Sequence, residues 1–65
     1  MLSNREKEVL RLIGDELTSK EIAFKLGVSI STIETHRKNL FKKLNTKSVV
    51  GLIKEAINAG LISKL

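Results

Sequence analysis

Apolar positions along the chain recur at helical spacing, and hydroxyl residues and glycines separate the clusters. Ser3-Asn-Arg-Glu6 has the spacing of a capping box, in which the serine hydroxyl and the glutamate carboxylate satisfy two N–H groups left unpaired at a helix start. A first helix is predicted from there to about Ile13, with Val9, Leu10, Leu12 and Ile13 as its seam. Gly14 is expected to end it in the left-handed conformation. Thr18-Ser-Lys-Glu21 is a second capping box, and Ile22, Ala23 and Leu26 form a short stripe closed by Gly27. Ser29 caps a third helix in which Ile33, Leu40 and Leu44 lie within about 20° of one line at 100° per residue, flanked by Arg37 and Phe41. Ser48 starts a fourth, carrying Val49, Leu52, Ile53, Ala56 and Ile57, with Gly60 at its end and Leu61-Ile62 folding back. No segment alternates as a strand does, so the prediction is an all-α four-helix bundle forming one domain over residues 1–65.

The connection Leu26-Gly27-Val28-Ser29 is too short for antiparallel neighbours, so helices two and three must cross steeply. Such a crossing needs a small residue where the backbones approach (Ala23), a residue tolerant of positive φ in the turn (Gly27), and apolar residues at the junction (Ile22, Leu26, Val28, Ile33). These requirements together make a helix-turn-helix. With Ile33 at the centre of the buried seam, Ser31, Glu34, Thr35, Lys38 and Lys42 cluster opposite it. A helix backed in this way fits the major groove of duplex DNA, and Ser31, Thr32 and the helix N-terminus suit a phosphate there. The competing reading of the same residues is an ordinary solvated face.

Charge sharpens this picture. The net charge is +5, and residues 1–33 hold five Lys/Arg against five Asp/Glu while residues 34–65 hold seven against two. One-sided basicity suits a polyanionic partner. There is no cysteine, which excludes disulfides, thiolate metal sites and a cysteine nucleophile, and fits a reducing cytoplasm. No apolar run approaches a membrane span, and the N-terminus lacks the apolar stretch of a signal peptide, so a soluble chain without a membrane partner is expected. The single histidine, His36, flanks the core seam with no second ligand or carboxylate pair beside it, so no metal, cofactor or catalytic constellation can be assembled and an enzyme is disfavoured. Phe24 points away from the stripe of helix two, either as a contact for a further domain or as a tolerated surface residue. Val50, Ile57 and Leu61 widen the apolar arc of helix four, either as a dimer face or as the closing wall of a small core.

The segments Ser3-Asn-Arg-Glu-Lys-Glu-Val-Leu10, Ser19-Lys-Glu-Ile-Ala23, Val28-Ser29, Thr32-Ile-Glu-Thr-His36, Lys43-Leu44 and Ala59-Gly-Leu-Ile62 resemble the LuxR/FixJ/NarL-type DNA-binding domain over nearly the whole chain. The resemblance implies a cytoplasmic transcription regulator binding double-stranded DNA through helix three, with helix four as a weak homodimer contact. It implies base contacts at Glu34, Thr35 and Lys38, and phosphate contacts at Lys20, Ser31, Thr32, Arg37 and Lys42. It also implies an N-terminal receiver or ligand-sensing module in longer relatives, so this chain is expected to be an excised output domain or a stand-alone regulator. Val49 stands where many members carry Arg, and Gly51 where an acid or amide often completes a capping box, so helix four is expected to start less firmly. Two other readings compete: region four of the major sigma factors, which shares a similar first helix but is disfavoured by the apolar fourth helix, and a helical module whose basic face meets an acidic protein.

Overall fold

The computed structural model describes residues 1–63, which form four helices: α1 (Asn4–Gly14), α2 (Ser19–Leu26), α3 (Ile30–Lys43) and α4 (Val49–Asn58). The expected all-α architecture is the one observed, with no strand among the described residues. Helix α3 packs on both α1 and α2, and α4 closes against α1. Val9, Leu10, Ile22, Ile33, Leu40 and Leu52 are completely buried between them, joined by Leu12, Ile13, Ala23 and Ala56.

Each helix begins on a hydroxyl. Ser3, Thr18, Ser29 and Ser48 are the N-caps, each with a side-chain oxygen accepting from a backbone N–H three residues on. Both predicted capping boxes close: the Ser3 N–H donates to Glu6 Oε1 at 2.8 Å and the Thr18 N–H to Glu21 Oε1 at 2.7 Å. At Ser48 only the forward half exists, the Gly51 N–H donating to Ser48 Oγ at 2.9 Å, because Gly51 has no side chain to reach back.

Each helix also ends in the same way, with a left-handed residue followed by a residue whose N–H returns to a carbonyl five back. The bonds are Leu17 N–H to Leu12 O (3.1 Å), Val28 to Ala23 (3.0 Å), Thr46 to Phe41 (3.1 Å) and Leu61 to Ala56 (2.8 Å). The left-handed residues are Glu16, Gly27, Asn45 and Gly60. This corrects the expectation for Gly14, which lies inside α1 and is buried, while the reversal falls two residues later at Glu16 with φ 67°. The apolar seam accounts for the shift: with the reversal at Glu16, Leu17 folds back onto the core, as Val28 and Leu61 do after α2 and α4. Val49 also departs from expectation, since it is 43% exposed rather than part of the α4 seam.

One buried carboxylate joins α1 to α3. Glu6, only 4% exposed, accepts from the Ser3 N–H and from Lys43 Nζ at 2.8 Å, and the same ammonium donates to the Met1 carbonyl at 3.2 Å. The Lys43 hydrogen bond, supported by the Ser3 N–H, holds the Glu6 carboxyl below the ordinary glutamate value of 4.5. A group with a depressed folded pKa stabilises fully above its unfolded pKa and ceases to do so as pH falls through the folded one. Glu6→Gln keeps an acceptor for Ser3 but removes the charge. Urea melts should show the parent more stable than this variant above about pH 4.5, with the gap closing as pH falls further; a pH-independent gap would dismiss the charge pair as its origin.

The two glycines at the ends of α1 and α2 should respond oppositely to alanine. A Cβ on Gly14 would meet Ile62 Cδ1 at 3.5 Å and Ile53 Cδ1 at 3.7 Å, ordinary contact distances, and its backbone is helical. Gly14→Ala should therefore stabilise by about 0.5–1 kcal/mol. Gly27 has φ 68°, so Gly27→Ala should cost about 1–2 kcal/mol despite the open space around it. Equilibrium unfolding of both variants checks the pair, and equal signs would contradict the assignment of the two ends.

Candidate nucleic-acid interface

The helix-turn-helix is built around a contrast on α3. Ile33 and Leu40 are completely buried, whereas Ser31, Thr32, Glu34, Thr35, Lys38 and Lys42 are all exposed, so the outward row expected from periodicity is present as one surface. The helix is 14 residues long, about 21 Å at the usual rise. Behind it, Ile22 and Ala23 of α2 are buried at 0% and 4% exposure, and the tight turn at Gly27 sets the angle at which α3 leaves.

The N-terminal turn of α3 differs from those of α1 and α2. Those carry Glu6 and Glu21, but the first turn of α3 has no acid. Instead Ser29 Oγ lies 2.9 Å from Thr32 Oγ1 and 3.2 Å from Ser31 Oγ, and accepts from the Thr32 N–H at 3.1 Å. Hydroxyls of this kind donate or accept as a neighbour demands, and the missing carboxylate leaves the positive end of the helix open to an anion. The Thr35 hydroxyl is committed differently: it donates to the Ser31 carbonyl at 3.0 Å, which fixes the rotamer and leaves the methyl group as the free part of the side chain.

The basic residues fall into three environments. Lys38 and Lys42 stand exposed on the outward row, and Lys20 is exposed on the first turn of α2. Arg37 is half-buried and lines a cleft of about 430 Å³ with Leu17, Thr18, Ser19 and Val49, on the flank of α3 rather than its outward centre. Lys43 is turned back onto Glu6. Sequence reasoning found Glu6 as a capping residue and missed this tie, because its partner lies 37 residues away and no local spacing marks it. It also passed over Ile30, the first residue of α3, which is 48% exposed.

The remaining singled-out residues sort by burial. His36 is half-buried on the side of the seam, and no group of three or more His, Cys, Asp or Glu gathers as a metal site among the described residues. Phe24 is 90% exposed. The three α4 residues are unalike: Val50 is 71% exposed, Ile57 is half-buried, and Leu61 packs against the core. No helix among the described residues is long and apolar enough to cross a membrane.

Comparison with known proteins places this geometry. The chain is 52% identical over 60 residues to an uncharacterized response regulatory protein, YgeK, of Escherichia coli K12, covering 92% of this chain and 41% of that protein. It is 47% identical over 64 residues to the transcriptional regulatory protein MctR of Rhizobium johnstonii, covering 98% of this chain and 30% of that protein. Among solved structures it superposes on the response regulator ChrA of a heme-sensing two-component system with a TM-score of 0.91 and 32% identity, covering 95% of this chain and 31% of that one. The chain thus spans less than half the length of each of these relatives. The sequence profile described as bacterial regulatory proteins, luxR family, matches residues 1–56, and the chain belongs to that family, as a helix-turn-helix domain of the kind carried by its response regulators.

Proposed function

We propose that this domain binds duplex DNA sequence-specifically, with α3 in the major groove, as the output of a bacterial transcription regulator acting in the cytoplasm. The observation that carries this reading is the exposed row Ser31, Glu34, Thr35, Lys38 and Lys42 on a helix whose opposite side is locked into the core. The major groove is about 12 Å wide and admits one helix, and base edges there offer distinct partners to each of these side chains. Lys38 donates to guanine O6 or N7, Glu34 accepts from cytosine N4, and Thr35 presents its free methyl to thymine. Lys20, Ser31, Thr32, Arg37 and Lys42 hold phosphates, with Arg37 reaching round from the flank. The longer relatives support a parent in which an N-terminal receiver or sensing module governs this domain. The domain itself performs no catalysis and requires no cofactor in this role.

Selection of bound sites from a random duplex pool, followed by affinity measurements on the selected site and its single-base variants, tests the assignment. Lys38→Ala should cost about 1–3 kcal/mol on the selected site and relax preference at one base pair. Arg37→Ala should weaken all sequences alike and flatten the plot of log K against log salt by about 0.9, the contribution of one phosphate contact. Glu34→Ala should bind random DNA more tightly while discriminating less, because an anion beside phosphates opposes every sequence. Identical uniform losses from Lys38→Ala and Arg37→Ala would refute the division, and salt-independent affinity would favour a protein partner instead.

Two protomers on adjacent half-sites, joined through α4 at Val50, Ile57 and Leu61, complete the proposal. Val50 is the sharpest probe because its exposure lets a charge be introduced without touching the core. Val50→Glu should melt like the parent, keep its affinity for a single half-site, and lose cooperative filling of a second half-site centred about 10 bp away. Unchanged cooperativity in a footprint titration would remove this face from the interface.

A further inference from the structure

One exposed side chain of α3 is neither polar nor part of the core. Ile30 occupies the first helical position, is 48% exposed, and stands outside both the core cluster and the apolar side chains packed against it. The fold gains little from a branched hydrocarbon there, since a first helical turn ordinarily favours an acidic or small polar residue. At 100° per residue Ile30 lies about 40° round the helix from Glu34, one turn N-terminal to it. Because Cα–Cβ bonds tilt toward the helix N-terminus, a side chain at this position covers the end that enters a groove first. Its neighbours Ser29, Ser31 and Thr32 are hydrogen-bonded among themselves, so Ile30 supplies the exposed apolar surface of that turn.

We propose that Ile30 is a specificity residue that reads the 5-methyl group of a thymine beside the base pair met by Glu34. This rests on the DNA-binding reading above and adds a contact to it. The thymine methyl is the apolar group that the major groove displays, and a branched aliphatic side chain is the partner that removes it from water. At the same position cytosine lacks the methyl, and a purine edge would lose hydration against Ile30 with no donor or acceptor in return. Apolar reading by Ile30 and polar reading by Glu34, one turn apart, would distinguish thymine from cytosine at neighbouring steps.

The test removes one methyl group from the DNA and the side chain from the protein. Thymines of the selected site are replaced singly by deoxyuridine, and affinities are measured for the parent, Ile30→Ala and Ile30→Val. At one thymine, next to the base pair whose preference Glu34→Ala relaxes, deoxyuridine should weaken the parent about three- to fivefold, the worth of one buried methyl. Ile30→Ala should bind the thymine site correspondingly less well and no longer distinguish thymine from deoxyuridine, with Ile30→Val in between. The ratio is taken within each protein, so a partly unfolded variant leaves it readable. If the parent binds one site specifically but all three proteins respond alike to every deoxyuridine, Ile30 is not the reader. If the parent shows no sequence preference on duplex DNA, the functional reading falls and the Ile30 assignment with it.

Discussion

The tight connection between the packed helices α2 and α3 is the constraint on which the remainder depends. Gly27 turns the chain at φ 68°, its successor's N–H returns to Ala23 O at 3.0 Å, and Ser29 caps the next helix at once. Two helices joined so tightly pack best with a small residue between them, and the buried Ala23, 4% exposed, is the small residue of α2. Everything outward about α3 follows from this inward geometry. Ile33 and Leu40 are buried where α3 packs on α2 and α1, so the residues opposite them face away from the core. The same steric logic that makes the turn compact makes the outer face available.

A chain of this size buries little, so its helix ends carry an unusual share of the organisation. Four hydroxyl caps and four left-handed terminations each give backbone groups at the helix ends a partner, and three of the residues that follow those terminations, Leu17, Val28 and Leu61, also lend apolar surface to the core. Glu6 extends the pattern, because one oxygen that begins as a cap for α1 also receives Lys43 from the end of α3. Helix α3 is thus held near its start by the turn from α2 and near its end by α1.

Most of this was legible in the sequence because it is local. Ser3 with Glu6 and Thr18 with Glu21 declare their helix starts by spacing alone, and the 3.6-residue period separates Ile33 from Lys38 without any tertiary knowledge. What stayed hidden is decided by packing at a distance. Gly14 carries the expected chemistry for a helix end and is the last residue of α1, yet the left-handed conformation falls two residues later on Glu16, from where Leu17 reaches the core. Val49 fits the apolar period of α4 but sits on its exposed first turn. Nothing local to Lys43 marks a partner, and only the fold brings it to within 2.8 Å of Glu6. The outward row and Arg37's place beside the seam were visible from the period, whereas the cleft that Arg37 lines was not, because its other walls, Leu17, Thr18, Ser19 and Val49, come from other parts of the fold.

On the proposed binding mode, the distribution of charge over the interface explains how so basic a domain would discriminate at all. Indiscriminate attraction to phosphate grows with every cation, and competing sites in a genome vastly outnumber the correct one. Here Lys20, on α2, and Arg37, on the flank of α3, lie beside an outward row in which Lys38 is offset by Glu34 and Thr35 is uncharged, with the uncharged Ile30 on the same flank as Arg37 one turn before Glu34. Such a set of readers contributes almost nothing to non-specific affinity, and its polar and apolar groups are satisfied only by particular base edges. A mismatched site therefore retains the attraction to phosphate but leaves Glu34 desolvated without a donor, a penalty no phosphate contact relieves. Specificity in this arrangement comes less from strengthening the right complex than from an anion that makes the wrong ones unfavourable.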